Sequence, residues 1–182
     1  MWAGLANVQG NLPMDSKVFN VLFLCTGNSA RSIMGECILN REGMGNFKGY
    51  SAGSQPKGEV LPAVRTFLES QNYETGELYS KVWDVFAEKG APKMDFVFTV
   101  CDNAAGEICP IWPGHPLTAH WGVSDPATFD GTETESQQYV SDIYNLLLSR
   151  IRVFVNLPLE SIDTLTLKKQ LVTIGAGESN VI

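Results

Sequence analysis

Apolar residues fall along the chain in two kinds of run. Val18–Cys25 (VFNVLFLC) and Asp95–Cys101 (DFVFTVC) are nearly continuous, as expected of strands buried on both faces of a parallel sheet. Phe47–Ala52, ended by Gly53, and Leu117–Trp121 predict two weaker strands. Elsewhere the apolar positions recur at helical spacing. Ser32–Arg41 predicts a helix, and Glu59–Ser70 places Leu61, Val64, Phe67 and Leu68 on one face. Val82–Glu88 predicts a short helix. The strongest stripe runs through Val140, Ile143, Leu147, Ile151 and Phe154, predicting a helix over Ser136–Val155 that Pro158 stops. Ile162, Leu165 and Leu171 predict a last helix. Residues 1–16 carry Gly, Asn and Pro without periodicity and predict a loose tail. Asp102–His115 reads as a Gly- and Pro-bearing loop with room for one helical turn, and Gly122–Glu135 as polar loop.

Strands alternating with helices imply βαβ units. The expected fold class is α/β: one three-layer domain over residues 17–182, with a four-stranded parallel sheet and helices on both faces. Ligands of such sheets sit off the carboxyl ends of the strands. Cys25 ends the first strand and Cys101 the third, so a parallel sheet carries both thiols to one edge.

Composition narrows the function classes. The 182 residues are 44% hydrophobic and 18% charged, an ordinary globular balance. The net charge of −7 disfavours broad nucleic-acid binding, which needs Lys and Arg for the phosphates. An anion must therefore be held by a local positive field. Four cysteines (Cys25, Cys37, Cys101 and Cys109) are too few for a disulfide scaffold of this size. No basic leader and no run of about 18 apolar residues occurs. The expectation is a cytoplasmic protein with reduced thiols and no membrane partner.

Between the first strand and the first helix lies Cys25-Thr26-Gly27-Asn28-Ser29-Ala30-Arg31-Ser32. The residues between the thiol and the guanidinium are small, so their N–H groups can turn inward around an oxyanion, and the helix adds its positive end. The same field is expected to lower the pKa of Cys25 and make it a nucleophile. Arg31 offers a planar fork for two anion oxygens. Ser32 is placed to donate to the sulfur. The segment resembles the phosphate-binding loop of the low-molecular-weight protein tyrosine phosphatases and of their arsenate reductase relatives.

A second resemblance separates the two chemistries. Val97–Pro116 (VFTVCDNAAGEICPIWPGHP) is similar to the redox segment of arsenate reductases coupled to thioredoxin or glutaredoxin. The likeness continues through Ala119-His120-Trp121-Gly122 and Asp125-Pro126-Ala127, covering about Val18 to Phe154. It implies that Cys25 attacks arsenate, that Cys101 attacks the arseno-adduct, and that Cys109 moves the disulfide to Cys101–Cys109 for an external reductant. That reductant would be thioredoxin, or glutathione with glutaredoxin; phosphate and sulfate would mimic the substrate, and no tightly bound cofactor or metal is implied. A disulfide needs Cα atoms about 4.4–6.8 Å apart. A helical 102–108 would hold Cys101 and Cys109 roughly 12 Å apart, so the segment must unwind for the second bridge.

The resemblance also makes Asp125 the general acid and Asn28 and Ser51 braces of the loop. Some relatives hold a potassium ion beside this loop, and Lys81 falls where they carry an acidic ligand, so its ammonium would replace the ion. The rival enzyme is a phosphatase using Cys25, Arg31 and Asp125. Ala127 and Thr128 stand where phosphatases tend to carry two tyrosines that frame an aryl substrate, which weakens that reading. A zinc or redox module of Cys101, Cys109, His115 and His120 lacks the short Cys-x2-4-Cys knuckle. Cys37, inside the first helix, is expected in the core.

Overall fold

The computed structural model describes residues 17–177; the tail expected over residues 1–16 lies outside them. The nearly continuous apolar runs form the centre of the sheet, because only there are both strand faces dry. Strands β1 (Phe19–Cys25), β2 (Phe47–Gly53), β3 (Phe96–Thr99) and β4 (Leu117–His120) pair in the order β2-β1-β3-β4, every pair parallel. Cys25 is opposite Gly53, Leu24 opposite Thr99, and Thr99 opposite His120. The carboxyl ends of all four strands therefore line one edge, as the sequence pattern predicts.

Helices α1 (Arg31–Glu42), α2 (Pro62–Ser70), α3 (Asp102–Gly106), α4 (Glu133–Val155) and α5 (Thr164–Ala176) connect and follow the strands. Their buried apolar residues all join the core on the Val21/Phe23/Phe98 face. At its centre Trp121 stacks on Phe98 at 4.0 Å, and Phe154 of α4 meets both rings edge-on. Each large side chain of this kind contributes about 1.5–3 kcal/mol on burial. The second face, under Leu22, Leu24 and Val97, has a thinner cover: a one-turn 3-10 helix (Trp83–Phe86) and Trp112 from the loop before β4.

Two helix starts differ by three residues from the sequence pattern for local reasons. Helix α4 begins at Glu133 rather than Ser136, because Thr132 and Glu135 form a reciprocal capping box. Helix α2 begins at Pro62 rather than Glu59, where proline's missing N–H costs nothing. No helix among the described residues is long and apolar enough to cross a membrane.

Candidate active site

The turn after β1 is shaped from outside. Gln55, Lys57 and Leu61 donate their N–H groups to the carbonyls of Thr26, Gly27 and Ser29 at 2.8–2.9 Å, and Ser80 Oγ adds a bond to Gly27 O at 3.1 Å. With these carbonyls held outward, the N–H groups face inward. No acceptor among the described residues takes those of Gly27, Ser29, Ala30 or Arg31. Asn28 holds the left-handed bend at φ 40, a conformation asparagine tolerates. It gives its N–H to Cys25 Sγ at 3.1 Å, its amide to Ser32 Oγ at 2.9 Å, and takes the Lys81 N–H at 2.7 Å. Gly53 at the end of β2 lets the turn sit close: a Cβ there would lie 2.9 Å from Asn28 N and nearer still to Thr26 O.

Cys25 is buried, with Sγ 2.9 Å from Ser32 Oγ. The expected lowering of its pKa is not found. Burial pushes the thiol up, the neighbouring Cys101 adds to the rise, and the hydrogen bonds from Ser32 and Asn28 oppose it. Burial is the main cause; the Arg31 guanidinium is meanwhile engaged by Asp125 at 2.8 Å and by Val123 O at 3.4 Å. Asp125 in turn accepts from Ala127 N–H at 3.0 Å, capping the 3-10 turn Pro126–Thr128.

Cys101 follows β3 and is buried at the same edge. Thr26, next to Cys25, places Oγ1 3.7 Å from Cys101 Sγ and 3.4 Å from Glu107 Oε1. The Cys101 sulfur also caps α3, accepting from Ala104 N–H at 3.4 Å. Cys109 sits elsewhere, half-buried against the Trp83/Trp112 cluster on the other face, its thiol raised by burial and by Glu107. All four cysteines are free thiols. The structure thus brings Cys25 and Cys101 together and holds Cys109 apart, with the helical turn of α3 between.

Asn28, Ser51 and Lys81 do gather behind the loop, joined by a residue that sequence reasoning missed. Glu36 of α1 accepts a hydrogen bond from Ser51 Oγ and pairs with Lys81 Nζ at 3.6 Å; Lys81 Nζ also lies 3.5 Å from Ser51 Oγ. The available signal was helical spacing: Glu36 is four residues after Ser32 and shares its face. Also missed were Lys57, whose stem would touch a Cβ on Gly27 at 3.3 Å, and the pairing of His120 with Asp102. Cys37 is a core residue, as expected, its thiol pushed by burial up to about 12. Among the described residues no three His, Cys, Asp or Glu side chains converge. His115 sits on an exposed loop at φ 52.

The family model for low molecular weight phosphotyrosine protein phosphatase matches residues 20–164, a stretch that includes the Cys25–Arg31 turn and Asp125. The chain belongs to that family. Curated relatives of similar sequence include arsenate reductases. That of Bacillus subtilis (strain 168) is 32% identical over 141 residues, covering 78% of this chain and 96% of the relative. The fold is shared with an arsenate reductase from Archaeoglobus fulgidus DSM 4304 (TM-score 0.57, 24% identity, 75% of this chain and 99% of that one). It is shared equally with the tyrosine phosphatase Wzb from Escherichia coli K30, solved with sulphate (TM-score 0.60, 18% identity, 76% and 96%). Fold alone does not separate reductase from phosphatase. The family match ends at residue 164, the first of α5.

Proposed function

We propose that this protein reduces arsenate to arsenite, with Cys25 as nucleophile and Cys101 as the thiol that resolves the adduct. The observation that carries the reading is the shared position of the two sulfurs: Thr26, adjacent to Cys25, bridges by its hydroxyl toward Cys101 Sγ at 3.7 Å. A phosphatase gives the second sulfur no work. The arsenate reductase names of the sequence relatives support the same choice.

Arsenate enters the cradle of inward N–H groups, and Arg31 turns from Asp125 to share the anion. Because burial favours the neutral thiol, an oxygen of the incoming anion takes the Cys25 proton. The thiolate bonds to arsenic and water leaves with the proton that came from Cys25, which Asp125, once Arg31 has turned away, is placed to pass to the departing oxygen. Cys101 then attacks Cys25 Sγ. The sulfur–sulfur bond forms, the sulfur–arsenic bond breaks, and its electron pair stays on arsenic, which leaves as arsenite. Cys109 attacks Cys101 in turn, freeing Cys25, and an external thiol reductant (thioredoxin, or glutathione with glutaredoxin) reduces the Cys101–Cys109 bridge. Lys81 neutralises Glu36 behind the loop in place of a potassium ion. These steps suit a reducing cytoplasm.

The test is steady-state arsenate reduction with each reductant system, on the wild type and on Cys25→Ser, Cys101→Ser and Cys109→Ser. The first two should be inactive. Hydrolysis of aryl phosphate unaffected by Cys101→Ser, with no arsenite from the wild type, would support a phosphatase instead.

A further inference from the structure

One polar network at the active edge has no part in the steps above. His120 ends β4 with its Nε2 2.9 Å from Asp102 Oδ1 and its Nδ1 2.9 Å from Thr99 Oγ1. A carboxylate only accepts, so Nε2 carries a proton and donates to Asp102. The Thr99 hydroxyl donates to Nδ1 of the neutral ring and accepts from the imidazolium, so both charge states keep both bonds. Three elements meet in one ring: the end of β3, the end of β4, and Asp102, the first residue of α3 and the neighbour of Cys101. The space is shaped for it. A Cβ on Gly122 would lie 2.6 Å from His120 Nε2 and 2.9 Å from Asp102 Oδ1.

The backbone behind the ring is fixed by α5, which lies beyond the family match except for its first residue. Helix α5 packs on β4 so closely that a Cβ on Gly175 would overlap His120 O. Trp121 gives its indole N–H to Leu171 O of α5 at 2.9 Å.

We propose that His120 is a positioning residue for disulfide transfer: through Asp102 it latches the first turn of α3, and the latch must open before Cys109 reaches Cys101. The inference rests on the relay proposed above. In the step concerned, Cys109 loses its proton to solvent and its thiolate attacks Cys101 Sγ of the Cys25–Cys101 disulfide. The Cys101–Cys109 bond forms, the Cys25–Cys101 bond breaks, and Cys25 leaves as a thiolate, with no net oxidation. The bridge needs Cα atoms about 4.4–6.8 Å apart. Yet Cys101 and Cys109 belong to cores on opposite faces of the sheet, with a helical turn between them. Three contacts oppose unwinding from its start: Ala105 N–H to Cys101 O at 3.2 Å, Ala104 N–H to Cys101 Sγ, and the Asp102–His120 pair. Bonding of Cys101 to Cys25 draws that sulfur away from Ala104, so the His120 latch is the side-chain hold that remains on the first turn, while Thr26 holds Glu107 at its far end.

Asp102→Ala, His120→Ala and the double variant test the latch in two measurements. In the reduced protein, amide hydrogen exchange at Ala104 and Ala105 should rise about threefold to fivefold in each single variant, the scale of an exposed ion pair. The double variant should exchange no faster. Asp102→Asn keeps the acceptor oxygen and should exchange more slowly than Asp102→Ala, while Gly122→Ala, which displaces the ring, should match His120→Ala. In a single turnover quenched with an alkylating agent, arsenite release should be unchanged, and the Cys101–Cys109 bridge should appear faster by the same factor. Unchanged exchange overturns the latch. Faster exchange with unchanged transfer, or with arsenite release altered equally, overturns its role in the step. A wild type that releases arsenite without ever forming Cys101–Cys109 sinks the relay and this control with it, while the exchange rates report separately whether His120 holds α3.

Discussion

The turn between Cys25 and Arg31 owes its shape to a backbone approach that a single methyl group would forbid. Gly53 pairs opposite Cys25, and a Cβ on it would meet Asn28 N at 2.9 Å, Asn28 Cβ at 3.0 Å and Thr26 O closer than either. Two of these are backbone atoms of the cradle, so no side chain can swing aside. In Gly53→Ala the turn must back away by about half an ångström; at roughly a hundredfold per ångström of misplacement, catalysis falls about tenfold. The strain of an added methyl in packed surroundings costs about 1–3 kcal/mol of stability, leaving most of the protein folded. The assay has two arms. Calorimetric titration with phosphate or sulfate reads the cradle, and single-turnover arsenite release reads the chemistry. Both should weaken together while circular dichroism is unchanged. Wild-type anion affinity and turnover in Gly53→Ala would refute the claim that β2 sets the loop.

Three other outcomes follow from the site. Asp125→Asn removes the carboxylate that competes for Arg31 at 2.8 Å, so phosphate should bind up to about fivefold tighter while aryl phosphate hydrolysis falls; isothermal titration and a colorimetric assay read the two. Turnover of the wild type should be the same in sodium and potassium salts, whereas Lys81→Met, which leaves Glu36 and Ser51 without the ammonium at 3.6 and 3.5 Å, should become slower and stimulated by potassium. Burial raises Cys37 to about 12, so in the folded protein it should resist iodoacetamide at pH 8. Because the raised group favours the protonated folded form, its contribution to stability holds below the ordinary thiol range and is lost as pH climbs toward 12, which denaturant midpoints would record.

Much of this architecture is legible in the chain. Val18–Cys25 and Asp95–Cys101 announce their strands by continuous apolarity, and the spacing from Cys25 to Arg31 announces the cradle. What escapes is whatever depends on neighbours distant in sequence. Glu36 is one more acid in a helix until β2 brings Ser51 and the segment after α2 brings Lys81 to it. His120 and Asp102 are 18 residues apart, and only the pairing of Thr99 with His120 brings them into contact. The burial that raises the Cys25 thiol is not something a motif states. The early start of α4 was visible as Thr132 and Glu135, but a polar stretch reads as loop unless the capping box is noticed. Of the cover of the second sheet face, the short helix expected over Val82–Glu88 is found as the 3-10 turn Trp83–Phe86, whereas the packing of Trp112 against Trp83 has no periodic signal.

The most direct measurement is a single arsenate turnover by the Cys109→Ser variant, alkylated, digested and read by mass spectrometry. One arsenite should be released per protein, with Cys25 and Cys101 joined in a disulfide and Cys37 alkylated only after unfolding. Arsenite released with Cys25 and Cys101 both recovered as alkylated thiols, or no arsenite at all, would contradict a resolving role for Cys101.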